Sequence, residues 1–150
     1  MPMLRTLWLS SLGATALLGA AGGAAAAASS NWELMVWTGP LIVSVDTASI
    51  ERRAARIIAH VMWDYAELQT DGATAAAPYN SMMGTIVFDC ATLRFGGAGS
   101  VEYSGSGGEG EAVARYSIDP DSVPLGASQP GTIGRDLVTY VCSHAPPARG

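Results

Sequence analysis

Residues 56–65 read RIIAHVMWDY, and this stretch decides the fold. From Ile57 onward alternate residues share one apolar face, and Ile58 begins the opposite face. A period of two is typical of a β-strand, whereas a helix needs apolar residues every three or four positions. Glu, Arg and Ala favour helix locally between residues 50 and 68, so a helix is the alternative. The β-branched and aromatic residues favour the strand.

The same alternation of apolar and polar residues recurs before and after this strand in the sequence. It predicts strands at residues 32–38 and 41–46, with a turn at 47–49, and later strands at 79–90, 92–95, 100–103 and 112–117. Residues 71–78, the glycine run 96–99 and the proline-bearing segment 119–130 are predicted loops. Residues 132–143 have apolar side chains at helical spacing. The predicted fold class is therefore α+β but mostly β: a small antiparallel sheet with one carboxy-terminal helix.

Residues 1–28 have the three parts of a cleavable signal peptide. Arg5 supplies a positive start, an uncharged apolar stretch follows, and alanines precede Ser29. A membrane anchor is the alternative, because the uncharged stretch could just span a bilayer of about 30 Å. Its second half is Ala and Gly, and no basic cluster follows. We therefore predict export, a domain at 29–144, a frayed tail at 145–150 and no membrane span after cleavage.

Acidic side chains dominate the predicted mature chain. All 13 Asp and Glu lie there, against seven arginines and no lysine, which leaves a net charge near −6. Binding to nucleic acid depends on Lys and Arg that neutralise phosphates. Neither nucleic acid nor an anionic membrane surface is therefore an expected partner. The length, about 120 residues after cleavage, suits one domain with one core.

Cys90 and Cys142 are the two cysteines of the chain. An even, minimal count in an exported protein predicts one structural disulfide. It would close a loop of about 52 residues, contribute roughly 4 kcal/mol, and tie the predicted helix to the end of the strand at 79–90. A reactive thiol pair is the alternative, but such pairs usually have the spacing C-x-x-C. No cysteine stands near the cleavage point, so no lipid anchor is expected.

Signals for catalysis, metals and cofactors are weak. Gly105–Gly110 matches the dinucleotide pattern G-x-G-x-x-G, but acidic residues flank it and a strand follows, so we predict a mobile hairpin loop. His60 and Asp64 share a strand face, whereas zinc needs three or four ligands. No nucleophile motif appears, and nothing distinguishes the carboxylate pair Asp46 and Asp64. We predict no enzyme, no cofactor and no metal.

Three aromatic residues are the candidate binding residues: Trp37, Tyr79 and Tyr103. Each falls on the face opposite the apolar set or at a loop edge. Aromatic side chains on an exposed face are enriched at protein interfaces. The alternative is that both faces of the sheet are partly buried.

The order of several short motifs resembles the surface-adhesin protein E family of bacterial envelope proteins. The motifs are the strand that opens at Trp32, VDTASIER at 45–52, VMWDY at 61–65, the run from Tyr79 through FDC at 88–90, SGSGGEG at 104–110, PDSVP at 120–124 and YVCS at 140–143. The resemblance implies a small sheet with a helix held by one disulfide, attachment to host extracellular proteins, and no catalytic residues. The chain departs from the family pattern because it lacks a cysteine for lipid attachment.

The leading hypothesis is an exported envelope or surface protein that binds a protein partner without catalysis, as in adhesion to extracellular proteins. Its location would be the periplasm or the cell surface, without a lipid anchor. A periplasmic structural or assembly factor is the alternative, followed by a hydrolase with an unrecognised carboxylate site. A concave pocket with facing carboxylates would favour the hydrolase, and an exposed aromatic patch would favour the binding protein.

Overall fold

A computed structural model describes residues 30–70 and 77–148, apart from the side chain of Trp37. The described chain forms β1 (Trp32–Trp37), β2 (Leu41–Arg53), β3 (Arg56–Gln69), β4 (Tyr79–Asp89), β5 (Arg94–Tyr103), β6 (Ala112–Ser117), β7 (Gly126–Ala127) and α1 (Ile133–Ser143). Short 3-10 turns occupy Ser106–Gly108 and Pro120–Ser122. The predicted signal peptide, 1–28, and most of the predicted loop 71–78 lie outside the described residues.

The strands form one antiparallel sheet in which each strand from β1 to β6 pairs with the next along the chain. The two-residue strand β7 adds to the start of β5, where Arg94 pairs with Ala127. β1 and β6 are therefore edge strands. Among the described residues, no helix is long and apolar enough to cross a membrane. The predicted fold class is confirmed, and residues 56–65 form a strand and not the alternative helix.

The two faces of the sheet bury apolar clusters of different size. On the face that carries α1, here called the helix-bearing face, the buried residues are Val43, Val45, Ile57, Ala59, Val61, Ile86 and Phe88, with Leu137, Val138 and Val141 of α1. The opposite face, here called the outer face, buries Ile58, Val87, Ala98 and Val123. The alternation predicted for residues 56–65 is confirmed, since Ile57 and Ile58 belong to opposite clusters.

The helix α1 is anchored at both ends. Thr132 is its N-cap, and the Thr132 hydroxyl accepts a hydrogen bond from the Arg135 amide at 3.3 Å. This bond satisfies one of the amides that the first turn of a helix leaves open. Near the other end, Cys142 forms a disulfide with Cys90, which directly follows β4, and the two Cα atoms are 5.6 Å apart. The predicted bond between helix and sheet is confirmed.

β2 continues through the turn that was predicted at residues 47–49, so that prediction is wrong. The pairing with β3 shifts register between Asp46 and Glu51, which is a β-bulge. Within the bulge, the Ser49 hydroxyl accepts from the His60 amide at 2.8 Å and donates to the Asp46 carbonyl at 2.6 Å. These bonds replace the ladder bonds that a bulge removes, and the strand therefore continues.

The predicted break at glycines 96–99 is also wrong, because β5 runs unbroken from Arg94 to Tyr103. A Cβ atom on Gly96 would lie 2.5 Å from the carbonyl oxygen of Pro124 and 2.6 Å from Val123 Cγ1. Gly96 is thus the point where another segment packs directly on the strand. That close approach completes the cluster on the outer face.

The predicted frayed tail is described as far as residue 148. Ala145 packs against the cluster on the helix-bearing face. The Pro146 carbonyl accepts a hydrogen bond from Arg52 Nε at 2.7 Å. These contacts hold the beginning of the tail beside β2, and residues 149–150 lie outside the described part.

Candidate functional site

The segment 104–111, here called the glycine loop, folds back over the outer face. Gly107 and Gly108 have positive φ angles of 65° and 77°, a conformation that side chains disfavour. The Ser81 hydroxyl, fully buried on β4, donates to the Gly105 carbonyl at 2.6 Å and accepts from the Gly108 amide at 2.9 Å. The loop joins the antiparallel strands β5 and β6, so the predicted hairpin is confirmed, whereas the two hydrogen bonds to Ser81 argue against its predicted mobility.

Asp64 provides the second anchor of the glycine loop, because its Oδ1 accepts a hydrogen bond from the Gly107 amide. The amides that a dinucleotide motif offers to phosphate are thus bonded within this protein to Asp64 and Ser81. The loop also leads into strand β6, whereas the dinucleotide motif opens a helix. The glycines of Gly105–Gly110 therefore serve the conformation of the loop and not the binding of a dinucleotide.

A cleft of about 470 Å³ lies between the glycine loop and the start of β2, and we call it the outer cleft. Its lining is Gly39, Ile42, Asp64, Tyr65, Ala66, Ser106, Gly107 and Glu109. Asp64 and Glu109 give it acidic groups. Ile42, which is 38 % exposed, gives it an accessible apolar side chain. The combination suits a segment that presents apolar and basic groups together.

Two of the three predicted binding residues are neighbours of residues in this region, although neither of them is among the described residues that line the cleft. The Cα of Trp37 pairs with that of Ile42, so the end of β1 borders the outer cleft. The side chain of Trp37 lies outside the described part of the structure. Tyr103 is half-buried, and a Cβ atom on Gly108 would lie 3.8 Å from the ring of Tyr103. Its ring thus lies against the glycine loop.

The third predicted binding residue, Tyr79, is only 6 % exposed, so the expectation that it lies on an exposed face is wrong. It pairs with Gln69 because β3 extends to Gln69, four residues further than predicted, whereas β4 begins at Tyr79 as predicted. Its ring packs edge-on against the ring of Tyr65, with the centroids 5.9 Å apart. Tyr79 is therefore part of the paired sheet and not of a loop edge.

Sequence reasoning missed an apolar patch along the edge strand β1. The predicted alternation placed Trp32 and Leu34 on the same face as Val36, but the register shifts between Leu34 and Val36. Val36 packs against the main core, whereas Trp32 and Leu34 are 39 % and 58 % exposed. Leu34 pairs with Ser44 on the outer face. No signal in the sequence marks this bulge.

The weaker catalytic and metal candidates are not brought together. Asp46 accepts hydrogen bonds from the amides of Asn31 at 2.7 Å and Ala48 at 3.1 Å, so it stabilises the bulge. It pairs with His60, while Asp64 lies four residues further along β3. Four residues of strand span about 13 Å, beyond the 5–9.5 Å typical of glycosidase carboxylates. Within residues 30–70 and 77–148, no three metal-ligating side chains cluster.

The fold and this surface define a class of protein. It is a small disulfide-bonded sheet protein, with a helix over one face and an exposed, partly apolar surface on the other. A family model described as surface-adhesin protein E matches residues 32–143. The chain therefore belongs to the surface-adhesin protein E family, and the resemblance seen in its motifs is confirmed.

Solved structures of protein E from Haemophilus influenzae share the fold. One covers 77 % of this chain and 93 % of its own, with a TM-score of 0.53 and 12 % identity. A crystal structure from a non-typeable strain covers 73 % of this chain and 75 % of its own, with a TM-score of 0.52 and 12 % identity. A comparison with curated protein sequences finds no match. At this identity the likeness establishes the fold alone.

Proposed function

We propose that this protein is exported and acts at the bacterial envelope or surface as a non-catalytic binding protein that attaches to an extracellular protein. The observation that carries the proposal is the family match, which spans nearly the whole described chain. Residues 1–28 support export, because they have the charge, apolar centre and small-residue end of a signal peptide.

The binding surface that we propose is the outer cleft together with the patch on β1. Ile42 and Leu34 are exposed apolar side chains on this surface. The backbone of Trp37 pairs with Ile42, and the ring of Tyr103 lies against the glycine loop. Aromatic residues near the centre of an interface account for much of the free energy of binding. Asp64 and Glu109 supply negative charge. We therefore expect the partner to present apolar and basic side chains to this face.

The test is binding of the purified protein to a panel of immobilised extracellular-matrix proteins. For any protein that it binds, Trp37→Ala and Tyr103→Ala should each weaken the affinity about tenfold or more. Leu93→Ala is the matched control, since Leu93 is an exposed apolar residue in the turn between β4 and β5, at the opposite end of the sheet. Equal loss in all three variants, or in none, would contradict the proposed surface.

The contribution of the cleft's negative charge to binding can be tested separately with Glu109→Gln. Removing an exposed acidic group from the cleft should weaken binding to a basic partner and make the affinity less dependent on salt. An unchanged salt dependence would exclude Glu109 from the interface.

Export and its alternatives are decided in the native cell. Intact-mass analysis of the exported protein should show an amino terminus near Ser29, and a membrane-bound species that retains Met1 would contradict this. Protein confined to the periplasm that captures only envelope components would favour the assembly-factor alternative. Turnover of a glycan, peptide or ester that Asp46→Asn or Asp64→Asn abolishes would instead establish the hydrolase.

A further inference from the structure

The helix-bearing face has a groove that α1 does not cover. A groove of about 180 Å³ crosses β3 to β6, and we call it the aromatic groove. Trp63 and Tyr116 line it, together with Met82 and Ser100. Tyr116 is 49 % exposed on the edge strand β6. The groove thus has an aromatic residue on each side and is open to solvent.

Trp63 is held in place by a glycine at the floor of the groove. A Cβ atom on Gly84 would lie 2.7 Å from Trp63 Cζ3 and 3.3 Å from Cη2, so the indole lies directly over the Gly84 backbone. Trp63 also packs against the main core. This aromatic wall is therefore fixed by packing on two sides.

A buried carboxylate adjoins the groove. Glu102 is on β5, where its Cα pairs with Met82 of β4 and Ala114 of β6. It points to the same face as Ser100, two residues before it, because side chains alternate along a strand. Two residues that line the groove, Met82 and Ser100, are thus immediate neighbours of Glu102. Glu102 does not itself line the groove, so its carboxylate adjoins the groove only through these two lining residues.

One oxygen of this carboxylate has no partner. Glu102 is only 2 % exposed, and its Oε2 makes no hydrogen bond within the described part of the chain. Its two cross-strand neighbours, Met82 and Ala114, have no cationic group. A buried acceptor without a partner is costly, and native proteins rarely keep one without a reason. The arrangement therefore needs a cationic or donor group from outside the described structure.

We propose that the aromatic groove binds an alkylammonium group. Trp63 and Tyr116 would contact the cation through their ring faces, as aromatic residues do in sites for quaternary ammonium and methylated lysine. Glu102 would supply the opposite charge and a charge-assisted contact. For a cation in the groove to reach the Glu102 carboxylate, the side chain of Met82 has to move. It can do so because this unbranched side chain has three rotatable bonds. The site is on the other face of the sheet from the outer cleft and is independent of the function proposed above.

An alkylammonium group has two sources, a free small ammonium ion or a lysine side chain. The probes are choline, as the free ammonium ion, and Nα-acetyl-lysine amide, as the lysine side chain. The neutral control is 3,3-dimethylbutan-1-ol, which has the shape of choline without its charge. Binding is read from the indole N–H resonance of Trp63 in the purified protein, assigned with Trp63→Phe.

Choline or the lysine amide should shift the Trp63 resonance saturably, and the neutral alcohol should not. Glu102→Gln keeps the shape of the side chain, and it should weaken cation binding roughly tenfold or more because the charge is lost. Tyr116→Ala, at an exposed position, should also weaken binding while the melting temperature stays within a few degrees. A preference for choline would assign a free small ammonium ion as the ligand, and a preference for the lysine amide would assign a lysine side chain.

Equal shifts with the cations and the alcohol would overturn the proposal, because the groove would then be merely apolar. Absence of any shift, or cation binding that Glu102→Gln leaves unchanged, would overturn it as well. Because the probes are small molecules, these results do not depend on whether the outer cleft binds a protein.

Discussion

The two faces of the sheet are built in different ways. The helix-bearing face is covered in part by α1, whose Leu137, Val138 and Val141 are buried among strand residues and whose last turn is bonded to Cys90. The outer face has no helix among the described residues. It is covered in part by the glycine loop, which polar contacts from Ser81 and Asp64 hold in place.

Because of this difference, the main source of stability and the surface proposed to bind a protein lie on opposite faces of the sheet. Apolar burial increases with the area removed from water, so the larger cluster makes the helix-bearing face the main source of stability. A face covered by a loop keeps side chains such as Leu34 and Ile42 accessible. An exposed apolar surface on an otherwise stable domain suits recognition of another molecule. Three predictions test this division of roles.

The largest effect is expected from breaking the tie between helix and sheet. Replacing both Cys90 and Cys142 by Ser removes the bond that closes the loop of 52 residues. The chain-entropy model gives a loss of about 4 kcal/mol, which corresponds to a fall of roughly 10–20 °C in the melting temperature. Thermal unfolding followed by circular dichroism measures it.

Thr139→Ala is the matched control for the cysteine variant. Among the described residues, its hydroxyl donates to the Arg135 carbonyl on the exposed side of α1, so the variant should melt close to the wild type. If the cysteine variant melted within two or three degrees of the wild type, the helix-bearing face would not depend on the bond.

An intermediate effect is expected from loosening the outer face. Ser81→Ala leaves the Gly105 carbonyl and the Gly108 amide without their buried partner. Unsatisfied buried polar groups lower the free energy of unfolding by about 1–3 kcal/mol. The loss should appear as a lower midpoint of urea unfolding. Amide exchange in the glycine loop should accelerate. Ser106→Ala, at an exposed position of the same loop, is the control. Unchanged exchange in Ser81→Ala would mean that the loop is held in another way.

The smallest effect concerns the contact between α1 and β1. Desolvation, together with the hydrogen bond from the Tyr140 hydroxyl to Glu33 Oε2, 2.6 Å long, and the negative charge of Glu33, raises the pKa of Tyr140 to about 12. The unfolded chain loses this proton near pH 10, so it binds fewer protons than the folded protein at higher pH. The stabilising contribution of Tyr140 is therefore complete below pH 10 and is lost as the pH rises toward 12.

The measurement is the free energy of unfolding in urea at several pH values from 9 to 12, for the wild type and Tyr140→Phe. Phenylalanine has no proton to lose, so the variant should show a smaller decrease in this range. Identical decreases in both proteins would exclude Tyr140 as the source, and the helix would then depend on the core and the disulfide alone.

Local patterns in the sequence were sufficient for the fold class and for most of the elements, but not for the continuous strands β2 and β5. The alternation at residues 56–65, the helical spacing at 132–143 and the count of two cysteines each depend on nearby residues or on composition. The backbone geometry of a strand or helix fixes the direction of successive side chains. The spacing of apolar residues therefore indicates the element even when its packing partners are unknown. The family could be suggested for the same reason, since its motifs are short and occur in order.

Tertiary structure alone decided the details that form the binding surfaces. The bulge between Leu34 and Val36 exposes two apolar residues, and position 96 of β5 is a glycine because the Pro124 carbonyl leaves no room for a Cβ atom. The glycine loop is anchored by Ser81, a residue distant in sequence. The unpartnered oxygen of Glu102 depends on its neighbours on two other strands. Register and close approach are relations between distant segments, and the pattern of one segment does not contain them.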